Sequence, residues 1–382
     1  MEEAAPFFDY ARLGLIDARP LNWAELRGFA PDDLAAADLV SAWTAFLTSC
    51  AAAAANTPVL RRGVAADAAF RKIQAEALAL GPANAETVRA FIQSRFRAWR
   101  IIPSNGAQKG FLTGYYEPVV EGSWSKTPEF SEPLLARPAD LVTLGPGEDR
   151  DGLPENLSGA RKTRDGKLVP YAARREIDTR SGDAPLLYVR GAIEAFMIMV
   201  QGSATISVRG ERAPLTYAGR NGRPYTSIGR VLIERGDIPR AEMSLARLKQ
   251  WVRDAGQHVG QAGRDLLWQN ESYVFFEIDG SAARKSGPIG GAGTPLQNLG
   301  SIAIDRSIWP YGLLFWIDAA LPWRRADIEP FQRLMAAQDT GSAIIGPARA
   351  DIYFGAGDEA GALAGGIRHD ADMHVLLPAD DP

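Results

Sequence analysis

The last third of this 382-residue chain is interrupted by glycine and proline too often for long helices, which restricts it to short strands joined at sharp corners. Tyr273 to Ile278, Ser301 to Ile304, Leu313 to Ile317 and Ile352 to Phe354 read as strands, and Gly287-Pro288-Ile289-Gly290-Gly291 is one of the joints between them. Short strands with glycine corners predict a small closed barrel. Within this region Asp339 and Asp351 bracket a segment carrying Gly341, Gly346 and Pro347, so the chain between the two carboxylates has to turn. Ala343 to Ile345 reads as a further short buried strand. Asp351 falls at a strand end beside Ile352-Tyr353-Phe354, and apolar neighbours disfavour a charged carboxylate, so its pKa is expected to rise.

Helix is predicted in the first hundred residues. Leu39, Trp43, Phe46, Leu47 and Cys50 recur at the spacing of one helical face, in a segment that opens near Asp32 and closes by Asn56-Thr57-Pro58. A later helix takes Asn84 as its N-cap, carries Val88, Phe91, Ile92, Phe96 and Trp99 on one side, and ends before Pro103. From Lys109 the texture becomes β-like. The run Phe111-Leu112-Thr113-Gly114-Tyr115-Tyr116-Glu117-Pro118 is either an ordinary strand and turn or the lining of a sugar site, where aromatic faces stack on rings and hydroxyls and carboxylates take the sugar hydroxyls. Residues 121–190 are loop-rich, as in a small β domain with long connections. Ala204 to Val208 alternates as a strand, and helix returns at Ser244, with Leu245, Leu248, Trp251 and Val252 on one face and Gly256 just past its end.

Forty-six acidic against 42 basic residues, with no basic block interleaved with aromatics, argue against a nucleic-acid partner. The single cysteine, Cys50, excludes an intramolecular disulfide and a thiolate cluster, and His258, His369 and His374 are too scattered for a metal motif, so no cofactor or metal is expected. His369 and His374 are expected in a solvated tail. Met1-Glu2-Glu3-Ala4 lacks the features of a secretory signal, and the Ala42 to Ala55 run is shorter than the roughly 20 residues of a membrane span. Asp339-Thr340-Gly341-Ser342 matches the local signature of aspartic proteases, but those enzymes need a second such aspartate and no second Asp-Thr-Gly is present. Nucleophile-elbow, phosphate-loop and dinucleotide motifs are absent, and many Asp, Tyr and Trp residues without a nucleophile and histidine pair point to carbohydrate chemistry.

Several motifs occur in one collinear series. They are Thr113-Gly114-Tyr115-Tyr116-Glu117-Pro118, Arg174 with Glu176-Ile177, Gln201-Gly202-Ser203, Tyr217 to Gly229, Asn270 with Ser272 to Phe276, Ala303-Ile304-Asp305-Arg306, Gln338-Asp339-Thr340-Gly341 and Ala350-Asp351-Ile352-Tyr353. Together, from about 109 to 369, they resemble the membrane-bound lytic murein transglycosylase A family with its C-terminal three-aspartate domain. The resemblance implies a mainly β chain with N-terminal helices: a double-psi β-barrel domain (1–112 and 236–382, three-aspartate region about 285–369) and an inserted smaller β domain (113–235), with a glycan groove between them. It implies a carbon-oxygen lyase that cleaves the β-1,4 bond between N-acetylmuramic acid and N-acetylglucosamine without water, leaving 1,6-anhydromuramoyl ends. It implies Asp351 as the catalytic acid/base, Asp339 as its supporter, Asp305 as a structural candidate, and Thr113, Tyr115, Tyr116, Glu117, Gln201 and Ser203 on the substrate. The expected partners are peptidoglycan glycan strands, with cell-wall synthesis or divisome proteins open. A monomer in the cell envelope is expected, periplasmic, with outer-membrane association open. The other functional reading is a non-catalytic, expansin-like glycan-binding protein of the same barrel type.

Overall fold

The computed structural model describes residues 9–29, 36–145, 149–180, 182 and 184–379. Contacts divide the chain into two compact units: 1–116, 289–355 and 359–382 form the first, and 117–288 with 356–358 form the second. Among the described residues no helix is long and apolar enough to cross a membrane. The N-terminal Met1-Glu2-Glu3-Ala4 stretch and the expected helix start near Asp32 lie outside the described residues.

In the first unit, helix α1 (Ala36–Ala54) buries Leu39, Trp43, Phe46 and Cys50 to 1% exposure or less, and each of the large ones contributes about 1.5–3 kcal/mol of burial. Helix α2 (Ala68–Leu80) is capped by the Asp67 carboxylate, and α3 (Ala85–Arg95) by Asn84, whose side chain accepts from the Thr87 amide at 2.9 Å. The expected continuation of α3 through Phe96 and Trp99 does not occur. Phe96-Arg97-Ala98-Trp99-Arg100 starts on a two-residue alternation, Phe96 and Ala98 buried and Arg97 exposed, and it forms strand β1 (Phe96–Arg100).

Six further strands follow in this unit: β2 (Gly110–Glu117), β3 (Ser301–Ala303), β4 (Leu314–Leu321), β5 (Glu329–Asp339), β6 (Arg349–Ala356) and, after helix α4 (Asp358–Gly365), β7 (Arg368–Pro378). They pair in the order β7-β4-β5-β3-β6-β2, and β2 pairs back onto β7, closing a six-stranded barrel. One edge of β7 is shared end to end, residues 368–371 with β2 and residues 374–378 with β1. The β3–β5 pairing is parallel, with Ser301 opposite Ala336.

Strands β5 and β7 are the longest of the barrel, and neither was predicted. Their sequences are broken by Gln332, Arg333, Gln338, Asp370, Asp372 and His374, which mask the apolar pattern. His374 is therefore not in a solvated tail: with Met373, Val375, Leu376 and Leu377 it is buried in a barrel strand, and burial lowers its pKa. His369, also expected in the tail, pairs with Leu112 across the closing seam. The strand expected at Ala343 to Ile345 is a turn instead. The Ile344 amide donates to the Gly341 carbonyl, Ile344 is buried, and Ile345 is 74% exposed.

The second unit is mixed, so helix is not confined to the N-terminus. A four-stranded sheet orders Val274–Ile278, Glu211–Arg220, Ala204–Val208 and Val119–Glu121, the last pair parallel. Two smaller sheets join Leu141–Thr143, Gly159–Lys162 and Leu168–Pro170, and Glu132–Leu135 with Pro185–Val189. The expected domain boundary at 236 falls at 289. Leu245, Leu248 and Trp251 of the helix Leu245–Asp254 pack with Val252, Leu266 and Leu267 against Ile193, Phe196 and Met197 of the helix Ala192–Gln201, which ties 236–288 to this unit. Arg174 is a buried staple here, donating to the carbonyls of Asn270 and Ser272 with its guanidinium over the rings of Phe196 and Tyr273.

Candidate active site

Strand β3 lies between the two strands that carry the central carboxylates. Its Ala303 is paired with Asp351 of β6 on one edge and with Asp339 of β5 on the other. Neighbouring strands run ~4.8 Å apart, so the two aspartate backbones are about 10 Å apart. A small alanine separates them in the sheet, and it belongs to a buried cluster with Tyr115, Leu296, Ile344 and Tyr353.

Asp351 is half-buried, and its pKa is raised to about 6. Desolvation is the main cause; the Arg349 charge and the Thr113 hydrogen bond oppose it, and the negative charge of Asp339 adds to it. The Thr113 hydroxyl lies 2.7 Å from Asp351 Oδ1. Arg349 Nη2 in turn donates to Thr113 Oγ1 at 2.7 Å. The remaining Arg349 bonds go to the Ala350 carbonyl and, at 3.5 Å, to the Phe111 carbonyl, and its guanidinium sits over the Phe111 ring.

Asp339 is fixed differently. Its Oδ1 accepts from the backbone amides of Gly291 at 2.7 Å and Thr340 at 2.8 Å. Glycine is required for this approach, since a Cβ on Gly290 would lie 2.5 Å from the Gln338 carbonyl oxygen and one on Gly291 would lie 2.7 Å from the Tyr311 hydroxyl. The glycine joint read as a corner is thus also the cradle of a carboxylate. Asp339 both bonds the turn backbone and raises the proton affinity of Asp351.

Asp305 is 8% exposed. Its Oδ1 accepts from the Ser307 amide and hydroxyl and its Oδ2 from the Gly346 amide, so it ties the end of β3 to the turn before β6. Tyr115 projects its ring into the cluster beside Asp351, 5.4 Å from that of Tyr353. Burial, then the charges of Asp339 and Asp351, hold its phenol neutral, and a side-chain interaction with Asp339 acts in the same direction. Tyr116 is buried against α4, where a Cβ on Gly361 would come within 2.7 Å of its ring.

The other expected substrate residues belong to the second unit. Glu117, expected on the glycan, is 3% exposed, and its Oε1 is taken by Arg284 and by the Thr205 hydroxyl at 3.1 Å. That carboxylate serves as the counter-ion of a buried arginine. Gln201 ends the helix Ala192–Gln201, Gly202 follows in a left-handed conformation, and Ser203 is buried. Sequence reasoning missed Arg349 and Arg284. Arg349 was accessible through its position two residues before Asp351 on a strand, hence on the same face. Arg284 had only the indirect signal of an acid in an otherwise apolar strand.

The fold and motifs are shared with known proteins. The model of the MltA specific insert domain matches residues 111–277, and that of the 3D domain matches 300–377. Membrane-bound lytic murein transglycosylase A of Escherichia coli strain K12 is 32% identical over 287 residues, 74% of this chain and 69% of its own length. A crystal structure of membrane-bound lytic murein transglycosylase from Agrobacterium tumefaciens superposes with a TM-score of 0.82 at 31% identity, covering 95% of this chain and 98% of that one. E. coli MltA with bound chitohexaose superposes with a TM-score of 0.64 at 26% identity, covering 95% and 96% of the two chains. With this identity and coverage, the chain belongs to the membrane-bound lytic murein transglycosylase A family.

Proposed function

We propose that this protein is a peptidoglycan lytic transglycosylase of the cell envelope, acting in the periplasm, and that Asp351 is its single acid/base. The observation that carries the reading is the arrangement around Asp351: a half-buried carboxyl with a pKa near 6, next to a second carboxylate already committed to two backbone amides. Protonated Asp351 gives its proton to the glycosidic oxygen as the bond from muramoyl C1 to that oxygen breaks, and the bonding electrons leave with the N-acetylglucosamine O4. The resulting carboxylate then takes the proton of the muramoyl C6 hydroxyl while O6 closes on C1, so Asp351 ends protonated and no water is consumed. A hydrolase would need a second group free to act as nucleophile or water base. Asp339, held by Gly291 and Thr340, suits the role of a fixed charge that keeps the Asp351 proton in place.

Binding of chitohexaose by E. coli MltA supports a glycan ligand, and Gln201 and Ser203 are proposed as glycan contacts alongside Tyr115. The parallel β3–β5 pair within the closed sheet supports the double-psi form of barrel. The test is mass spectrometry of the products released from purified sacculi. The proposal expects 1,6-anhydromuramoyl ends from the wild type and almost none from Asp351→Asn. Reducing ends would identify a hydrolase. Glycan binding without products would identify a binding protein.

A further inference from the structure

We infer that Arg349 is a positioning residue that acts through Thr113 to fix which oxygen of the Asp351 carboxyl carries the catalytic proton. The inference rests on the reading of Asp351 as the acid/base. An arginine guanidinium can only donate, so at the 2.7 Å contact between Arg349 Nη2 and Thr113 Oγ1 the hydroxyl oxygen accepts. The single hydrogen of that hydroxyl is then left for its other contact, Asp351 Oδ1 at 2.7 Å. The chain therefore has one direction, from Arg349 through Thr113 to Asp351.

A carboxyl oxygen that is already accepting a short bond is the poorer place for a proton, because protonating it weakens the bond it receives. The Asp351 proton is accordingly assigned to Oδ2, and Oδ1 stays an acceptor throughout the reaction. Arg349 is suited to this task because, among the described residues, no carboxylate lies within ion-pair distance of it. Its hydrogen bonds go to Thr113, to the Ala350 carbonyl and to the Phe111 carbonyl. The arginine thus polarises the threonine without hydrogen-bonding the acid itself, on which only its charge acts.

The groups that face Asp351 are Arg349 on its own strand, Thr113 and Tyr115 on β2, and Asp339 on β5. Arg349 and Thr113 favour the carboxylate, whereas Asp339 and desolvation favour the acid. Removing the relay therefore has two separable effects. The proton is no longer confined to one oxygen, which lowers the rate, and the acid form persists to higher pH.

The experiment measures release of muropeptides from sacculi between about pH 4 and 8 for the wild type, Arg349→Gln, Thr113→Val, Thr113→Ser and Asp351→Asn, and in parallel the titration of the Asp351 carboxyl carbon by NMR, assigned by its absence in Asp351→Asn. A rate that depends on the protonated acid falls as pH rises through its pKa. Arg349→Gln and Thr113→Val are expected to lower the plateau rate about tenfold, and to move both the falling limb and the NMR midpoint upward in pH. Thr113→Ser, which keeps the hydroxyl, is expected to stay near wild type in all three. A loss of rate with limb and midpoint unmoved means a merely structural arginine and overturns the inference, as does wild-type behaviour of both variants. If Arg349→Gln does not fold, the contrast of Thr113→Val with Thr113→Ser decides. Activity surviving in Asp351→Asn would defeat the acid/base reading instead, and the NMR midpoints would still report on the relay.

Discussion

Replacing Asp351 by Asn should make the protein more stable at neutral pH while removing its activity, and the gain should disappear in acid. The folded-state pKa is about 6 against an ordinary value of 3.8, a difference of about 2 units or about 3 kcal/mol. Because the folded value is the higher one, the stabilising contribution of the neutral carboxyl is fully present below about 3.8 and is lost as pH rises through about 6. At pH 8 the wild type holds a charge in a site that disfavours it, whereas the amide is neutral and its Oδ1 still accepts from Thr113. Partial solvent access reduces the gain to about 1–3 kcal/mol. Urea unfolding of the wild type and Asp351→Asn, followed by near-ultraviolet circular dichroism at a series of pH values, checks this. The two proteins should be nearly equal near pH 4, diverge through pH 6, and remain separated above about pH 7. A difference independent of pH, or an Asn variant less stable than wild type at pH 8, would refute the account of Asp351 as a carboxyl strained by desolvation.

Turnover on sacculi is expected to fall about 10²–10⁴-fold in Asp351→Asn with glycan binding kept, and less in Asp339→Asn; equal losses in the two would point to a two-carboxylate mechanism. Glu117→Gln removes the charge that compensates Arg284, so an unfolding penalty of about 3 kcal/mol is expected with KM for the glycan unchanged, and a raised KM at wild-type stability would return Glu117 to the substrate. Cys50 is buried and its thiol is pushed up to about 12, so it should resist thiol reagents in the native protein and react on unfolding, and activity should persist in dithiothreitol and in EDTA. Zinc-reversible inhibition by EDTA would contradict this.

What could be read from the sequence was what depends on neighbours along the chain. The stripe of Leu39, Trp43, Phe46 and Cys50 marks α1 because a helix brings residues three and four apart to one face. Asn84 and Ser244 mark helix starts for the same local reason, each side chain reaching an amide three residues on. The raised pKa of Asp351 was legible too, since Ile352, Tyr353 and Phe354 adjoin it. The strands that escaped notice are those whose polar residues are satisfied from far away. Arg333 in β5 bonds Asp38 at 2.7 Å, and Gln338 bonds the Ala45 carbonyl and the Ser49 hydroxyl of α1, each at 3.0 Å. Without those partners in view, such residues read as loop.

The arrangement of the site is non-local in the same way, and barrel closure accounts for it. Asp351 and Asp339 lie within one short stretch of sequence, and their spacing in the barrel is set by β3, which inserts between their strands and pairs with both. Thr113 is 238 residues from Asp351 and reaches it because β2 lies against β6 on one edge and closes onto β7 on the other, where Thr113 pairs with Arg368. Strand β2 also carries Tyr115, so one strand delivers the hydroxyl that bonds the acid and a ring of the buried cluster around Ala303, the residue paired with Asp351. The carboxylates, and Arg349 beside one of them, could be found by reading along the chain, but the contact of Thr113 with Asp351 could not. A substitution that opens the seam between β2 and β7 should therefore disable Asp351 through loss of Thr113 and Tyr115, while every residue of the three-aspartate region is left unchanged.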